Sequence, residues 1–400
     1  MACVRIAFVA PDDWTVWLFY RQLIRALSVA GARITVFSAA GQYVPRLLAL
    51  DTEHVAVPYA RFVDPYRDLR LFWSLWRGFL TRRFDVVHNF TIKANLYGAL
   101  AASAAGVRSI INTVDGAGLL YSGTLDWRLR LVRGVAEIGL RRVRARVLRY
   151  WFVNPHDRDV FVARGLALPE SCVVAIATGV DTQQFDPETV PRSAIAVFRE
   201  EIRVSDHVPL VTMVAGRLLR SKGVGEFVEM ARRLRAQGVR MQALLIGPEE
   251  RDHPDALPSS AWSGAVREGV VRLMGFREDV WTAYAASDVV VVPTYYAEGT
   301  PKGVMEGMAM ARAVVASDLP STRQLVTHGR DGILVRPRDP GDLTTAVAAL
   351  LASPARRSAL GQEARRTAVT RLDAEQAARS AVDRVYGAVP GWPHAGRDAA

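Results

Sequence analysis

Short runs of β-branched and aliphatic residues alternate with longer helical stretches along this chain, and this alternation limits the folds open to it. In residues 1–190 the runs predict a first series of strands, at 4–10, 32–38, 54–58, 84–89, 108–114, 150–154 and 172–178. Helical periodicity lies between them, at 18–30, 69–82, 94–105 and 127–149. Such alternation predicts a parallel sheet with helices on both faces.

The same alternation starts again after a polar, proline-containing segment at 181–192. The second series of runs is rich in Val and Leu, which is typical of strands buried on both faces. These strands are predicted at 208–216, 241–247, 269–275, 288–294, 313–317 and 333–337. A chain of 400 residues suits two domains of ordinary size.

We therefore expect an α/β protein with two Rossmann-like domains, at 1–190 and 191–373. A helix at 374–387 is expected to pack back across the domains, and residues 388–400 are expected to form a disordered tail.

Composition excludes several classes of protein. The two cysteines, Cys3 and Cys172, are too few for a disulfide framework or a cysteine-rich metal site. No apolar run approaches the length of a membrane span, and the N-terminal run reads as a strand rather than a signal peptide. We expect a cytoplasmic protein, peripheral on the inner face of the cell membrane.

The formal net charge of +11 is concentrated in residues 1–190, which indicates an anionic partner for that half. No nucleic-acid-binding signature accompanies the charge, so we expect no nucleic-acid partner. Only three of the 51 basic residues are lysines, namely Lys93, Lys222 and Lys302. A chain so biased towards Arg is expected to keep Lys where a compact ammonium group matters.

The segment GRLLRSKG at 216–223 follows a predicted strand and opens a predicted helix. Backbone N–H groups at a helix start, together with Arg217 and Lys222, form a site suited to a diphosphate. Taken alone, the segment fits a solvated basic turn equally well.

The segment EGTPKGVMEG at 298–307 also follows a predicted strand, and its helix is expected to start near Pro301 as the first helical residue. Glycines here let the backbone approach a ligand closely. Glu298 and Glu306 suit hydroxyl groups of a ribose and a sugar better than they suit anions. The alternative is a pair of solvated helix glutamates.

In this order the motifs resemble those of the family 4 glycosyltransferases. The resemblance rests on GRLLRSKG, IGPEE (246–250), MGFREDV (274–280), the run at 286–326, DGILVRPRDPGDL (331–343), the closing segment at 371–386, FDVVHNFTIKANLYGAL (84–100) and the segment at 154–188. The family implies a retaining, metal-independent enzyme of the GT-B fold, with a cleft between two Rossmann-like domains. A nucleotide sugar, with UDP as the expected nucleotide, is then a co-substrate, and neither a cofactor nor a metal is expected.

The resemblance also implies roles for individual residues. Arg217 and Lys222 would hold the donor diphosphate and stabilise it as it leaves, Glu298 would contact the donor sugar, and Glu306 would accept hydrogen bonds from the ribose. Further donor contacts are expected from Gly216, Gly275, Phe276, Gly299, Thr300, Pro301 and Lys302.

The chain departs from the family pattern at TVDGAG (113–118), where many relatives have a His facing the donor sugar. Asp115 stands there, and we assign it a sugar contact. His88 and Lys93 are candidate acceptor-side residues, although His88 is equally consistent with a buried residue at a strand end. The usual Gly-Gly after the first strand is absent, so the acceptor loop cannot be interpreted by analogy.

The segments 247–262 and 91–98 most resemble the subgroup that acts on polyprenyl-diphosphate-linked glycans. Two amphipathic helices, at 69–83 and 127–149, favour an anionic membrane surface as a partner. The alternatives are that both helices merely cover the sheet, that the acceptor is a soluble molecule or protein, or that the chain is a nucleotide-sugar epimerase or a degenerate binding subunit.

Overall fold

The computed structural model describes residues 3–393 except 61–62, 117, 122–126, 177, 251–252 and 297–298. The chain divides into two compact units. Unit 1 comprises Met1–Thr178, Ala297–Thr300 and Ala374–Ala400, and unit 2 comprises Gly179–Tyr296 and Pro301–Asp373. The chain thus leaves unit 1 after Thr178, about a dozen residues before the boundary expected at 190. It returns to unit 1 at Ala297–Thr300 and again at Ala374–Ala400.

Each unit is built on a parallel sheet. The strands of unit 1 are β1 (Arg5–Asp12), β2 (Arg33–Ala39), β3 (Glu53–Ala56), β4 (Val86–Phe90), β5 (Ser109–Val114), β6 (Val147–Phe152) and β7 (Cys172–Val174). Those of unit 2 are β8 (Leu210–Val214), β9 (Gln242–Ile246), β10 (Val271–Gly275), β11 (Val289–Val292), β12 (Ala313–Ser317) and β13 (Ile333–Val335). The orders are β3-β2-β1-β4-β5-β6-β7 and β10-β9-β8-β11-β12-β13.

The helices alternate with these strands. The first seven are α1 (Asp13–Thr15), α2 (Arg21–Val29), α3 (Val44–Leu48), α4 (Pro65–Arg82), α5 (Ile92–Ala104), α6 (Trp127–Val143) and α7 (Pro155–Ala163). The others are α8 (Arg192–Glu201), α9 (Val224–Ala236), α10 (Ser260–Arg267), α11 (Val280–Ala286), α12 (Lys302–Ala309), α13 (Pro320–Arg323), α14 (Pro340–Leu351), α15 (Pro354–Arg371) and α16 (Ala374–Arg384). A π-helical turn spans Val16–Tyr20, and 3₁₀ turns span Leu119–Tyr121, Arg144–Arg146, Pro169–Ser171, Arg220–Lys222 and Tyr386–Ala388. The expected α/β architecture is confirmed.

Local sequence explains where several helices begin. Asp64 accepts a hydrogen bond of 3.0 Å from the backbone N–H of Arg67, and Pro65 occupies the first turn of α4. Asn154 caps α7 in the same way, with Pro155 at its start. A capping side chain accepts from a backbone N–H that has no partner within the helix, and Pro has no such N–H to satisfy.

The sheet of unit 1 is covered on both faces. α2 and α16 pack on one face, where Phe8, Ile24 and Tyr386 are fully buried. On the other face α4, α5 and α6 lie side by side over a core that includes Leu75 and Leu140. Each such apolar side chain contributes roughly 1.5–3 kcal/mol when it is removed from water.

Two predictions from the sequence require correction. The helix predicted at 127–149 ends at Val143, because its last residues pair with β5 as strand β6, with Val147 opposite Ile110. In the part of the tail that the structure describes, residues 388–393, Val389 and Trp392 are buried rather than disordered, and the Trp392 ring lies 5.2 Å from that of Tyr386. Within the described part of the chain, no helix is long and apolar enough to cross a membrane.

Candidate active site

The site in unit 2 lies where the strand order reverses. β8 and β11 are neighbours in the sheet, but the chain continues from β8 towards β9 and β10 and from β11 towards β12 and β13. In open parallel sheets, ligands bind outside the carboxyl ends of the strands at such a switch point. The two segments singled out from the sequence, 216–223 and 298–307, follow β8 and β11.

Ser221 anchors the first of these segments. Its carbonyl oxygen accepts hydrogen bonds from the backbone N–H groups of Tyr295 (2.8 Å) and Tyr296 (3.1 Å). Its own N–H donates to the Asp255 carboxylate at 2.9 Å, and its hydroxyl donates to the same oxygen. The loop that carries Lys222 is therefore fixed to the segment after β11 on one side and to Asp255, in the segment after β9, on the other.

Gly223 is the residue that lets this loop pass close to the sheet. Its φ is +81°, and a Cβ added here would lie 2.2 Å from the carbonyl oxygen of Pro293. Both the backbone conformation and the lack of space require glycine. The helix α9 starts directly after it.

The two cations singled out in this segment, Arg217 and Lys222, are held in different ways. Arg217 Nη1 lies 3.9 Å from Glu250 Oε2, and the Arg217 side chain is 36% exposed. Lys222 Nζ lies 5.7 Å from the ring centroid of Tyr296. Both cations thus sit on a loop fixed at the switch point, which favours anion binding over a solvated turn.

The helix α12 supplies the second half of the site. It begins at Lys302, with Pro301 as the N-cap residue rather than the first helical residue. A Cβ added at Gly303 would lie 3.3 Å from the carbonyl oxygen of Val214, at the end of β8. The small residue therefore brings the start of α12 against the strand that precedes the basic loop.

Glu306 is oriented by a buried tyrosine that the sequence analysis missed. The Tyr284 hydroxyl donates to Glu306 Oε2 at 2.9 Å. Burial raises the pKa of Tyr284 well above its usual value, so the phenol stays protonated and remains a donor. A Tyr within the small, apolar helix VWTAYAA was the available signal, because a buried Tyr hydroxyl requires a partner.

Gly275 is the last residue of β10 and Phe276 follows it, at the carboxyl edge of the sheet. Gly275 has a φ of +66°, and its carbonyl oxygen accepts from the N–H of Gly247 at 2.8 Å. The Phe276 side chain is 58% exposed. An exposed aromatic ring at a sheet edge provides a flat apolar surface of the kind that stacks on a nucleobase.

Asp115 lies in unit 1, just after β5. Its Oδ1 is buried and has no hydrogen-bond partner among the described residues. Burial raises the pKa of this carboxyl to about 7. A buried acceptor without a partner is costly, and such groups in native proteins call for an explanation such as a ligand.

The main chain of Asp115 is paired with Gly299. The Gly299 N–H donates to the Asp115 carbonyl oxygen at 3.0 Å, and a Cβ at Gly299 would lie 2.6 Å from that oxygen. Thr300 follows in the same segment of unit 1. Glu298, to which the sequence analysis assigned a sugar contact, lies outside the described residues.

The two candidate acceptor-side residues, His88 and Lys93, are both internal. His88 is fully buried, with Nδ1 2.5 Å from the Tyr386 hydroxyl and Nε2 2.6 Å from Thr113 Oγ1. Burial lowers its pKa well below the usual value, so the ring is neutral. This arrangement favours the interpretation of His88 as a buried strand residue over an acceptor contact. Lys93 forms an ion pair with Asp68 over 2.5 Å.

Both halves of the chain match family models of glycosyltransferases. Residues 17–184 match the family model described as Glycosyltransferase Family 4, and residues 209–353 match the model described as Glycosyl transferases group 1. Together the two matches span most of the chain.

Two relatives illustrate the similarity. The chain is 26% identical over 349 residues to the N,N'-diacetylbacillosaminyl-diphospho-undecaprenol alpha-1,3-N-acetylgalactosaminyltransferase of Campylobacter jejuni, covering 87% of this chain and 89% of that protein. It is 23% identical over 279 residues to the UDP-Gal:alpha-D-GlcNAc-diphosphoundecaprenol alpha-1,3-galactosyltransferase of Escherichia coli, covering 70% and 69%.

Among solved structures, that of Anabaena Alr3699/HepE in complex with UDP and glucose superimposes with a TM-score of 0.79 at 19% identity. The alignment covers 96% of this chain and 100% of that one. This likeness shows the fold, which is the GT-B fold expected from the sequence.

Proposed function

Because the chain belongs to family 4 of the glycosyltransferases, we propose that it is a retaining, metal-independent enzyme acting on a lipid-linked acceptor. It transfers a hexose or N-acetylhexosamine from a nucleotide sugar, with UDP as the nucleotide, to a polyprenyl-diphosphate-linked glycan. The observation that carries this proposal is the fixed loop at the switch point of unit 2, with Arg217 and Lys222 on it and Glu306 on the following helix.

The donor occupies that switch point. Arg217 and Lys222 bind the diphosphate, the oriented carboxylate of Glu306 accepts from the ribose hydroxyls, and Phe276 covers the base. Pro301 and Lys302 lie beside the phosphates at the start of α12. The relative from Escherichia coli uses UDP-Gal by its name, and the Anabaena structure is a complex with UDP, which supports the choice of nucleotide.

The reaction breaks the bond between the anomeric carbon and the diphosphate oxygen. Arg217 and Lys222 stabilise the negative charge that develops on the leaving diphosphate, each by about 3 kcal/mol if it acts as a single oxyanion donor does. The acceptor hydroxyl attacks from the face that the diphosphate leaves, and its proton passes to a phosphate oxygen. The products are a glycoside of unchanged anomeric configuration and a nucleoside diphosphate.

Metal independence follows from the same two side chains. A divalent ion in other phosphoryl-binding sites neutralises the charge of the leaving group. Here two cations on an anchored loop supply that charge. In this proposal Asp115 of unit 1 contacts a sugar hydroxyl, since its buried Oδ1 has no hydrogen-bond partner among the described residues.

The acceptor class is supported by the exposed surface of unit 1. Four apolar residues form one face of α6 and are each more than 60% exposed: Trp127, Leu131, Val135 and Ile138. Along α4, a second set is exposed: Tyr66, Leu69, Trp73 and Leu80. Because α5 packs against both helices, these two stripes lie on the same side of the sheet. We call them the apolar stripes of α4 and α6.

The stripes are separate from the residues that cover the sheet, which on α4 are Leu71, Leu75 and Phe79. Exposed apolar residues in such number mark an interaction surface. A bilayer surface fits them, since Arg-flanked apolar helix faces lie at the boundary of headgroups and acyl chains. The two relatives act on undecaprenyl-diphosphate-linked sugars by their names.

One expected contribution to membrane binding is smaller than the sequence indicated. Among the arginines of the amphipathic helix predicted at 127–149, Arg133 and Arg141 are paired with the buried Glu137. Arg144 donates to the carbonyl oxygen of Gly165 at 2.6 Å. Arg133, Arg141 and Arg144 thus bind groups of unit 1 itself. The apolar stripes therefore contribute more of the proposed membrane contact.

A donor screen tests the proposal. We expect UDP-sugars, and not GDP- or ADP-sugars, to raise the melting temperature, and we expect slow hydrolysis of the same donor to persist in EDTA. Loss of hydrolysis on chelation would contradict metal independence. Stabilisation by another nucleotide would contradict the assignment of UDP, and transfer to water-soluble glycosides alone would favour a soluble acceptor.

A further inference from the structure

The sheet of unit 1 has its own switch point, between β1 and β4. These strands are neighbours, but the chain continues from β1 to β2 and β3 on one side and from β4 to β5, β6 and β7 on the other. The segments that follow β1 and β4 therefore flank the crevice in which open parallel sheets bind ligands. None of the donor-binding roles proposed above uses it.

Thr91 is the first residue after β4, and its backbone is strained. Its φ and ψ are 79° and 158°, a region that essentially only glycine populates. For a β-branched residue this conformation is a genuine outlier. Strain of this kind persists only where surrounding structure imposes it, and it concentrates at binding and catalytic sites.

A partly buried polar cluster surrounds Thr91. Thr91 Oγ1 lies 3.2 Å from the hydroxyl of Tyr59, and Lys93 Nζ lies 5.6 Å from the Tyr59 ring centroid. Lys93 Nζ is also 2.5 Å from Asp68 Oδ1 and donates to the Ala60 carbonyl oxygen at 2.6 Å. The segments after β3 and β4 and the first turn of α4 are thereby fastened together around Thr91.

The charge of this cluster indicates what it recognises. The ammonium of Lys93 faces the carboxylate of Asp68, whose side chain is 4% exposed, so the ion pair has no net charge. Burial, with the charges of Asp68 and of Asp12 at the end of β1 acting in the same direction, raises the pKa of Tyr59, which stays a neutral hydroxyl. A neutral pair of hydroxyls suits the hydroxyl groups of a saccharide, not a diphosphate.

We propose that Thr91 binds a hydroxyl of the acceptor's saccharide, and that Tyr59 and the Lys93–Asp68 ion pair are positioning residues for it. This inference rests on the proposed function and assigns the acceptor end of the same reaction. Lys93 thereby acts on the acceptor indirectly. The strain at Thr91 is maintained because it directs the hydroxyl into the crevice.

Substitutions of Thr91 separate binding from folding. With a synthetic polyprenyl-diphosphate N-acetylhexosamine as acceptor, we expect Thr91→Ser to keep the wild-type KM. Thr91→Ala and Thr91→Gly, which lose the hydroxyl, should raise the acceptor KM by about three- to tenfold, the worth of one hydrogen bond. Thr91→Gly should also melt at or above the wild-type temperature, because glycine relieves the strain.

A matched control is Asp51→Gly, which relieves a positive φ of 57° elsewhere in unit 1 and should leave the acceptor KM unchanged. For the positioning pair, Lys93→Met should raise the acceptor KM more than it lowers kcat, and Lys93→Arg should restore part of the loss. An unchanged acceptor KM in Thr91→Ala and Thr91→Gly, with the wild type active, would overturn this inference alone. A wild type that transfers nothing to this acceptor would contradict the proposed function and this inference together.

Discussion

Asp115 is the residue whose environment most clearly predicts a dependence of stability on pH. Its buried carboxyl has a pKa raised to about 7, whereas in the unfolded chain it titrates near the ordinary value for Asp. Because the pKa of Asp115 is higher in the folded state, its favourable contribution to the free energy of unfolding is fully present when the pH lies below the pKa of the unfolded state. That stability is lost as the pH rises through about 7, because the buried form must then ionise.

Replacing Asp115 by Asn keeps the shape and removes the titration. We expect Asp115→Asn, without donor, to melt several degrees above the wild type at pH 8.5 and to lose that advantage as the pH falls towards 4.5. Melting curves of both proteins across this range measure the effect. A difference in melting temperature between the two proteins that does not change with pH would show that the Asp115 carboxyl is not desolvated.

The residues of the donor site were predictable to different degrees. Arg217, Lys222 and Glu306 follow strands in sequence, and strand ends meet at the switch point of a parallel sheet, so chain order predicts where they lie, whereas their proposed roles rest on the family resemblance. Tyr284 and Thr91 could not be assigned in this way. Their roles depend on a partner distant in sequence and on a backbone angle, neither of which leaves a periodic signal.

His88 is a residue whose role could not be decided from the sequence. A histidine at the end of a strand is compatible with a site or with the core, and only the two hydrogen bonds to Tyr386 and Thr113 distinguish them. The partner Tyr386 lies 298 positions away in the chain. No local pattern around residue 88 carries that information.

At the level of elements, strand positions were predicted within a few residues, and helix ends were less accurate. The pattern of α6 continued through Val147 because Leu and Val at mixed spacing fit a helix and a strand equally. The pairing of β6 with β5 determines where α6 ends. The amphipathic character of α6 was predicted, yet its apolar face proved to be exposed.

That exposed face leads to a prediction for α6. Leu131→Glu and Ile138→Glu replace side chains that are 63% and 64% exposed, so we expect little change in folding. Each should weaken binding to vesicles that contain anionic lipid by about tenfold, because a buried Leu or Ile contributes roughly 1.5–3 kcal/mol. Vesicle cosedimentation at increasing salt measures this.

Val197→Glu, on α8 of unit 2, changes a side chain of similar exposure (65%) and serves as the control. It should bind vesicles like the wild type. Equal binding by all three variants would exclude the stripe on α6 as the contact. Loss of binding in the Val197 variant as well would indicate a general effect of added negative charge.

At the level of the whole molecule, the sheets of both units share one design. Each sheet reverses its strand order at one point. In unit 2, Arg217 and Lys222 follow β8, one of the two strands that meet there, and suit a diphosphate. In unit 1, Thr91 follows β4 and belongs to a neutral cluster of hydroxyls and an ion pair. We propose that this difference separates donor from acceptor.

The central claim is that the fixed loop of unit 2 drives departure of the nucleoside diphosphate. Release of UDP from a UDP-N-acetylhexosamine by Lys222→Ala, measured beside its melting temperature, tests it most directly, with the surface variant Arg232→Ala as control. We predict that kcat falls by about 10²–10³ while the melting temperature stays within a few degrees of the wild type. An unchanged kcat, or a loss no larger than the fall in folded protein, would contradict the account.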